Sequence, residues 1–181
     1  MALMMGEFGK MRIMGIDPGI RVTGYGLIET AKGQPIFVAG GVICSDSKAT
    51  FEDKLCNIFE RIVSLLDEYN PEAVVVEDLY SHYSYPKTAI LMGHVRGVIY
   101  LAAAQKGIPI AAYTASRVKQ ALAGRGSASK EQIQKAIQRF LNLNTPLECA
   151  DVADALALAV GHYHMSRSVI YKHGYEKSRG S

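Results

Sequence analysis

The chain has 181 residues, 49% of them hydrophobic and 20% charged, and a formal net charge of +3. That size is one ordinary domain able to bury most of its surface, and the composition excludes a disordered or fibrous chain. So small a net charge excludes nucleic-acid binding by bulk charge, leaving local clusters to supply any such contact.

Three widely spaced cysteines, Cys44, Cys56 and Cys149, form no CxxC pair and no even disulfide set. They read as buried, reduced thiols of a cytoplasmic protein. No apolar run approaches the ~18 residues that span a bilayer. The start, Met1-Ala2-Leu3-Met4-Met5-Gly6-Glu7, is too short and too soon acidic for a signal peptide.

Residues 1–10 read as a flexible extension. Residues 11–17 are apolar and strand-like, ending in Asp17-Pro18-Gly19. Val22 to Thr30 and Gln34 to Cys44 read as two further strands joined by a Lys32-Gly33 turn, an antiparallel meander. Phe51 to Tyr69 places Phe51, Leu55, Ile58, Phe59, Ile62, Leu65 and Leu66 at helical spacing, and Pro71 stops it. Ala73 to Glu77 is short and apolar with three valines, the pattern of a central strand buried on both faces. A long helix is expected over Lys87 to Gln105, a strand over Ile110 to Tyr113, and helices over Ala115 to Ala123, Ser129 to Leu141 and Glu148 to about Met165. From residue 166 the chain turns polar and basic and reads as a disordered tail. The order β-β-β-α-β-α-β-α-α-α predicts an α/β fold, a mixed five-stranded sheet flanked by helices.

Four acids stand out. Asp17 and Glu77 end hydrophobic strands, and if these are parallel neighbours their ends lie ~4.8 Å apart. That spacing suits the ligands of a metal pair, which sit ~3.5–4 Å from each other. Crevices beyond the carboxyl ends of strands are where open α/β sheets bind ligands. Asp151 and Asp154 are three residues apart and share a helix face. Each acid alone can be structural: Asp17 a turn former, Asp151 and Asp154 favourable charges at a helix N-terminus, Glu77 the point where a strand reaches water. Together they resist that reading. Asp154 is flanked by Ala153, Ala155, Leu156, Ala157 and Leu158, and buried charge is costly unless paired or bound to a metal. An all-oxygen ligand set favours Mg²⁺ or Mn²⁺ over zinc, and such a site commonly cuts phosphodiesters.

Five segments carry a family resemblance. They are Gly15-Ile16-Asp17-Pro18-Gly19-Ile20-Arg21-Val22-Thr23-Gly24-Tyr25-Gly26, Val76-Glu77, Gly93-His94-Val95-Arg96-Gly97-Val98, Val118-Lys119-Gln120, and Ala150-Asp151-Val152-Ala153-Asp154-Ala155-Leu156-Ala157. In this order, over roughly residues 11–165, the chain resembles RuvC, the bacterial Holliday junction resolvase. The resemblance implies a ribonuclease H-like nuclease domain over residues 11–165, a homodimer, and Mg²⁺-dependent cleavage of four-way DNA junctions. It puts the catalytic and metal-binding carboxylates on Asp17, Glu77, Asp151 and Asp154. It puts the base-contacting aromatic on Tyr80 and basic DNA contacts on Lys119 and Lys130. A branch-migration motor of RuvA and RuvB is the partner it implies.

The residues support DNA contact independently. Arg117, Lys119, Arg125, Lys130, Lys135 and Arg139 face a single Glu131 across one segment, the local basic excess of phosphate binding. A solvated helix face is the alternative. Arg125, in a glycine-containing loop, joins the DNA-binding set. Tyr80, Tyr83 and Tyr85 lie in a polar loop and can stack on unpaired bases, worth ~1–3 kcal/mol each. Ile90 to Ala104 is apolar around much of its circumference, more than one sheet can cover, so this helix is expected to supply a dimer interface as well. A two-fold pair of sites can nick two like strands of a junction.

The expected chemistry is two-metal hydrolysis. Asp17 bridges the ions, the other three acids complete their shells, and the products are a 5′ phosphate and a 3′ hydroxyl. The rivals are a nuclease of the same fold acting on RNA precursors, an actin-like kinase or ATPase, and a non-catalytic junction binder. The kinase needs two such domains where 181 residues supply one.

Overall fold

Strand β1 (Met11–Asp17) pairs antiparallel with β2 (Val22–Ala31), which pairs antiparallel with β3 (Gln34–Cys44). The chain continues through α1 (Phe51–Tyr69), β4 (Ala73–Glu77), α2 (Pro86–Gln105), β5 (Ile110–Tyr113), α3 (Ala115–Ala123), α4 (Lys130–Phe140) and α5 (Ala150–Lys177). The structure, a computed structural model, describes residues 10–31, 33–78, 86–147 and 149–177. The sheet order is β3-β2-β1-β4-β5, with β4 parallel to both β1 and β5. This is the expected mixed five-stranded sheet.

Local signals set the element ends. The Thr50 side chain accepts from the Asp53 N–H to start α1, and Asn70, in a left-handed conformation, ends it. Ser129 and Gln132 form a reciprocal capping box that starts α4. Thr114 caps the start of α3, and Gly124 closes its end at φ 73°.

Two cores flank the sheet because side chains alternate along each strand. Met14, Ile16, Leu27, Val74 and Val76 face α1 and α2 with Ile58, Ile62, Val95 and Ile99. Ile13, Ile28 and Val75 face the other way, toward α3, α4 and α5. The same alternation turns Gly15, Asp17 and Glu77 to the α5 side.

Gly15 pairs with Gly26, which pairs with Gly40, so a row of glycines crosses three strands. A Cβ at Gly15 would fall 1.9 Å from the Ala155 carbonyl oxygen, and one at Gly24 2.3 Å from that of Asp151. A Cβ at Gly26 would lie 2.6 Å from Leu156. The backbone of α5 therefore rests directly on the sheet, closer than any side chain permits.

Three expectations need correction. α5 continues to Lys177, past the end expected at about Met165. On either side of Met165, Tyr163 and Arg167 both donate to the Gly33 carbonyl, tying the helix to the β2–β3 turn. The cysteines are free, but Cys44 and Cys56 are exposed rather than buried, because β3 is an edge strand and Cys56 lies on the outer side of α1. Asp154 is not enclosed by its apolar neighbours: its side chain is 39% exposed, because it opens onto a cleft. Among the described residues, no helix is long and apolar enough to cross a membrane.

Gly15→Ala collides with backbone, which no rotamer change relieves. Overpacking costs about 1–3 kcal/mol and more where backbone must move. Urea unfolding of Gly15→Ala should show a loss of ~3 kcal/mol or more; a variant as stable as the parent would contradict the direct docking of α5.

Candidate active site

Asp17 and Glu77 are the last residues of two parallel neighbours. Ile16 is in register with Val76, so the two carboxylates leave the sheet side by side. The turn after Asp17 is pinned by Thr23, fully buried, whose hydroxyl donates to the Gly19 carbonyl at 2.7 Å and accepts from the Gly19 N–H at 3.3 Å. Beyond Glu77, the Asp78 N–H donates to the Tyr113 carbonyl at 2.8 Å and extends the β4–β5 ladder by one bond. Both acids thus project from tethered backbone. Asp151 comes from the first turn of α5, its backbone pressed on Gly24, the residue paired with Asp17. Asp154 follows on the same helix face.

The four acids share one electrostatic field. Burial, then the negative charges of Asp154, Glu77 and Asp151, push Asp17 from 3.8 up to about 7, with Lys130 opposing. Glu77 is also raised, first by burial and then by Asp154, against the pull of Arg96, Lys119 and Lys130. Lys130, the first residue of α4, sets its ammonium 3.0 Å from Asp154 Oδ2. That bond, followed by Asp154's charge, holds the lysine above its usual range.

Glu77, Asp154, Lys119 and Lys130 line one cleft of about 260 Å³, with Val118 and Ile133 as its apolar wall. Acids and ammonium groups in one groove can serve a phosphate and the cations that accompany it. Among the described residues, no three acidic, His or Cys side chains converge as ready-made ligands of one ion. Lys130 is instead the cation paired with Asp154. The donor set nevertheless fits a hard divalent ion: every donor is a carboxylate oxygen, and two of the acids, Asp17 and Glu77, are pushed toward protonation with only partial compensation from nearby cations.

The remaining expected residues are placed differently. Arg125 is exposed in the α3–α4 turn, outside the cleft. Tyr80, with His82, Tyr83 and Tyr85, lies outside the described residues. His94 bonds the Ile90 carbonyl through Nδ1, His162 meets the Tyr113 hydroxyl at 2.9 Å, and His164 packs on Phe140, so these histidines pack and bond. Sequence reasoning gave no role to Thr23, to the glycine row or to Arg96. The glycines were present in the first motif, but their function appears only once α5 is laid across them.

A sequence profile described as Crossover junction endodeoxyribonuclease RuvC matches residues 13–162. The chain belongs to the RuvC family. A Pelobacter propionicus protein named crossover junction endodeoxyribonuclease RuvC is 44% identical over 154 residues, covering 85% of this chain and 86% of that one. A protein of the same name from Trichlorobacter lovleyi is 42% identical, covering 84% of each. Thermus thermophilus RuvC in complex with a Holliday junction substrate superposes with a TM-score of 0.83 at 32% identity, over 87% of this chain and 96% of that one. The yeast mitochondrial Holliday junction resolvase, at 13% identity and a TM-score of 0.67, shares the fold. The RuvC architecture and its ribonuclease H-like sheet are thus those of this chain.

The raised Asp17 has a consequence for stability. An acid that holds its proton more tightly when folded adds stability in full below its unfolded value of 3.8, and that gain is lost as pH rises through about 7. At pH 8 the folded, metal-free protein carries a charged Asp17 among three other acids. Asp17→Asn should therefore raise Tm in EDTA at pH 8, by roughly 2–4 °C per kcal/mol relieved, and the gain should vanish near pH 4. A Tm difference independent of pH would contradict the coupling.

Proposed function

We infer that this chain is a structure-selective endodeoxyribonuclease that resolves four-way (Holliday) DNA junctions by symmetric metal-dependent nicking, in recombination and repair. The observation that carries this is the meeting of four carboxylates from two strand ends and one helix beside a cleft lined by Lys119 and Lys130, in a chain of the RuvC family.

Asp17, Glu77, Asp151 and Asp154 are the residues that would hold Mg²⁺, two ions per site, with Mn²⁺ able to substitute. When bound, the ions supply an activated water and stabilise the leaving 3′ oxygen. The rest falls to the protein. β1 and β4 fix Asp17 and Glu77 side by side, so little ordering remains when substrate arrives. Lys119 and Lys130 draw a phosphate into the cleft and orient it against the acids. Lys130 has two anionic partners within its reach, Asp154 and an incoming phosphate; a cation held by Asp154 would leave its ammonium available to the phosphate. Val118 and Ile133 make one wall dry, which strengthens each charge in the cleft. Tyr80 stacks on a base at the opened crossover, and Arg125 holds the backbone farther out.

A homodimer suits this activity. On α2, Ile90 is 60% and Leu101 53% exposed, although Val95 and Ile99 on the same helix are buried in the core. These two residues, Leu55 of α1 and Gly97 line one open apolar groove, and a Cβ at Gly97 would meet nothing within 4 Å. A second copy of the chain is the proposed occupant, giving two sites related by a two-fold axis. A RuvA–RuvB branch-migration motor is the proposed partner, and the cytoplasm the proposed compartment, on family resemblance.

The test is cleavage of a labelled four-way junction with a movable core, against a duplex of the same sequence, with and without Mg²⁺. Wild-type protein should place paired symmetric nicks in the junction alone, only with metal, leaving 5′ phosphate and 3′ hydroxyl ends. Leu101→Glu should sediment as a monomer and lose the pairing of nicks. Tight junction binding without nicks would overturn the enzyme in favour of an architectural binder, and a preference for RNA would indicate a nuclease of RNA precursors.

A further inference from the structure

Arg96 lies midway along α2 within Gly93-His94-Val95-Arg96-Gly97-Val98, a segment for which neither the cleft nor the apolar groove has a use for the arginine. Its side chain is only 12% exposed. Nη2 lies 3.4 Å from Asp78 Oδ1 and donates to the Tyr100 hydroxyl at 3.3 Å. The guanidinium carbon stands 5.6 Å from the centre of the Tyr100 ring, one helical turn along. Tyr100 thus fixes the direction in which the arginine reaches. Nη1 is buried and has no hydrogen-bond partner among the described residues.

This is an expensive way to place a guanidinium. Its five donors are largely withdrawn from water, and among the described residues its one ion-pair partner, Asp78, is distant at 3.4 Å and about half exposed. Buried ion pairs are commonly replaced by apolar residues at no loss of stability. The fold therefore supplies no reason for a charge here, but the neighbour one residue before Asp78 does. Glu77 is half-buried at the strand end, and of the cations that act on it Arg96 acts most strongly, ahead of Lys119 and Lys130. Lys119 and Lys130 stand in the cleft, whereas Arg96 stands on α2, in the layer behind the sheet.

We propose that Arg96 is a positioning residue: through Asp78 it braces the Glu77–Asp78 segment against α2, keeping the Glu77 carboxylate aimed into the cleft. This rests on the reading of Glu77 as a metal-holding acid. It makes α2 a shared element, with one face for the second copy of the chain and one arginine for the catalytic strand end. Groups that support metal ligands from behind typically carry 10–100-fold in metal affinity or activity.

The test uses the full-length protein and Mn²⁺ as probe, with free Mn²⁺ measured by electron paramagnetic resonance. Arg96→Met should weaken Mn²⁺ binding by about 10–100-fold. It should lower kcat for junction cleavage at fixed Mg²⁺ without changing KM, leave junction binding in EDTA unchanged, and lose less activity as Mg²⁺ is raised. Arg96→Lys should recover part of the Mn²⁺ affinity. If Arg96→Met fails to fold, Arg96→Gln carries the same measurement, and wild-type Mn²⁺ affinity in it overturns the proposal. Glu77→Gln separates the two layers of inference. Weak Mn²⁺ binding in Glu77→Gln with normal binding in Arg96→Met defeats the role of Arg96 alone. Normal Mn²⁺ binding and cleavage in Glu77→Gln defeats the assignment of Glu77, and the role of Arg96 with it.

Discussion

The contact of the α5 backbone with the glycine row is the constraint on which the rest of the structure depends. Ordinary helix-on-sheet packing keeps backbones apart by a layer of side chains. At Gly15, Gly24 and Gly26 that layer is absent, and a single methyl group would strike the helix. The approach has two effects. It buries Ala155, Leu156 and Ala159 against β1 and β2, and it brings the first turns of α5 over the end of β1. Asp151 and Asp154 reach Asp17 because of where the helix backbone lies. The site is in this sense a product of the core, and a change in the glycine row would move the acids without touching one of them.

That placement creates an electrostatic problem that the protein solves only in part. Four acids in one field push Asp17 to about 7, and burial is the largest cause. Lys130 compensates at Asp154, Lys119 stands in the same cleft, and Arg96 acts on Glu77 from behind the sheet. The result is a set of carboxylates whose mutual repulsion is relieved by added cations. Such a field suits a site that handles phosphodiesters, because it can hold metal ions where the charge of the phosphate must be met. The stability forgone here is thus tied to the activity.

Much of this could be read along the chain, for identifiable reasons. Ala73 to Glu77 was legible as a central strand because an apolar run ending in an acid has few other structures open to it. The glycine-and-acid pattern around Asp17 and the spacing of Asp151 and Asp154 marked acids that the fold brings into one field. Other features needed three dimensions. The Lys130–Asp154 pair joins residues 24 apart and depends on how α4 docks on α5, which no local pattern encodes. Asp154 was misjudged because its neighbours in sequence are apolar, whereas its own side chain opens onto the cleft that it lines with Lys119 and Lys130. Arg96 stood in a quoted motif, yet its meaning depends on α2 lying behind β4. The end of α5 was placed early because its apolar periodicity fades near Met165, while the bonds from Tyr163 and Arg167 to Gly33 that secure the next turn involve a distant loop.

The most direct measurement of whether these carboxylates form one metal-holding site is anomalous scattering from crystals of the full-length protein soaked in Mn²⁺. The expected result is anomalous density within ligand distance of Asp17, Glu77 and an aspartate of α5, with the Lys130 ammonium withdrawn from Asp154. Density confined to other acids, with the Lys130–Asp154 pair intact and Asp17 touching no ion, would contradict it.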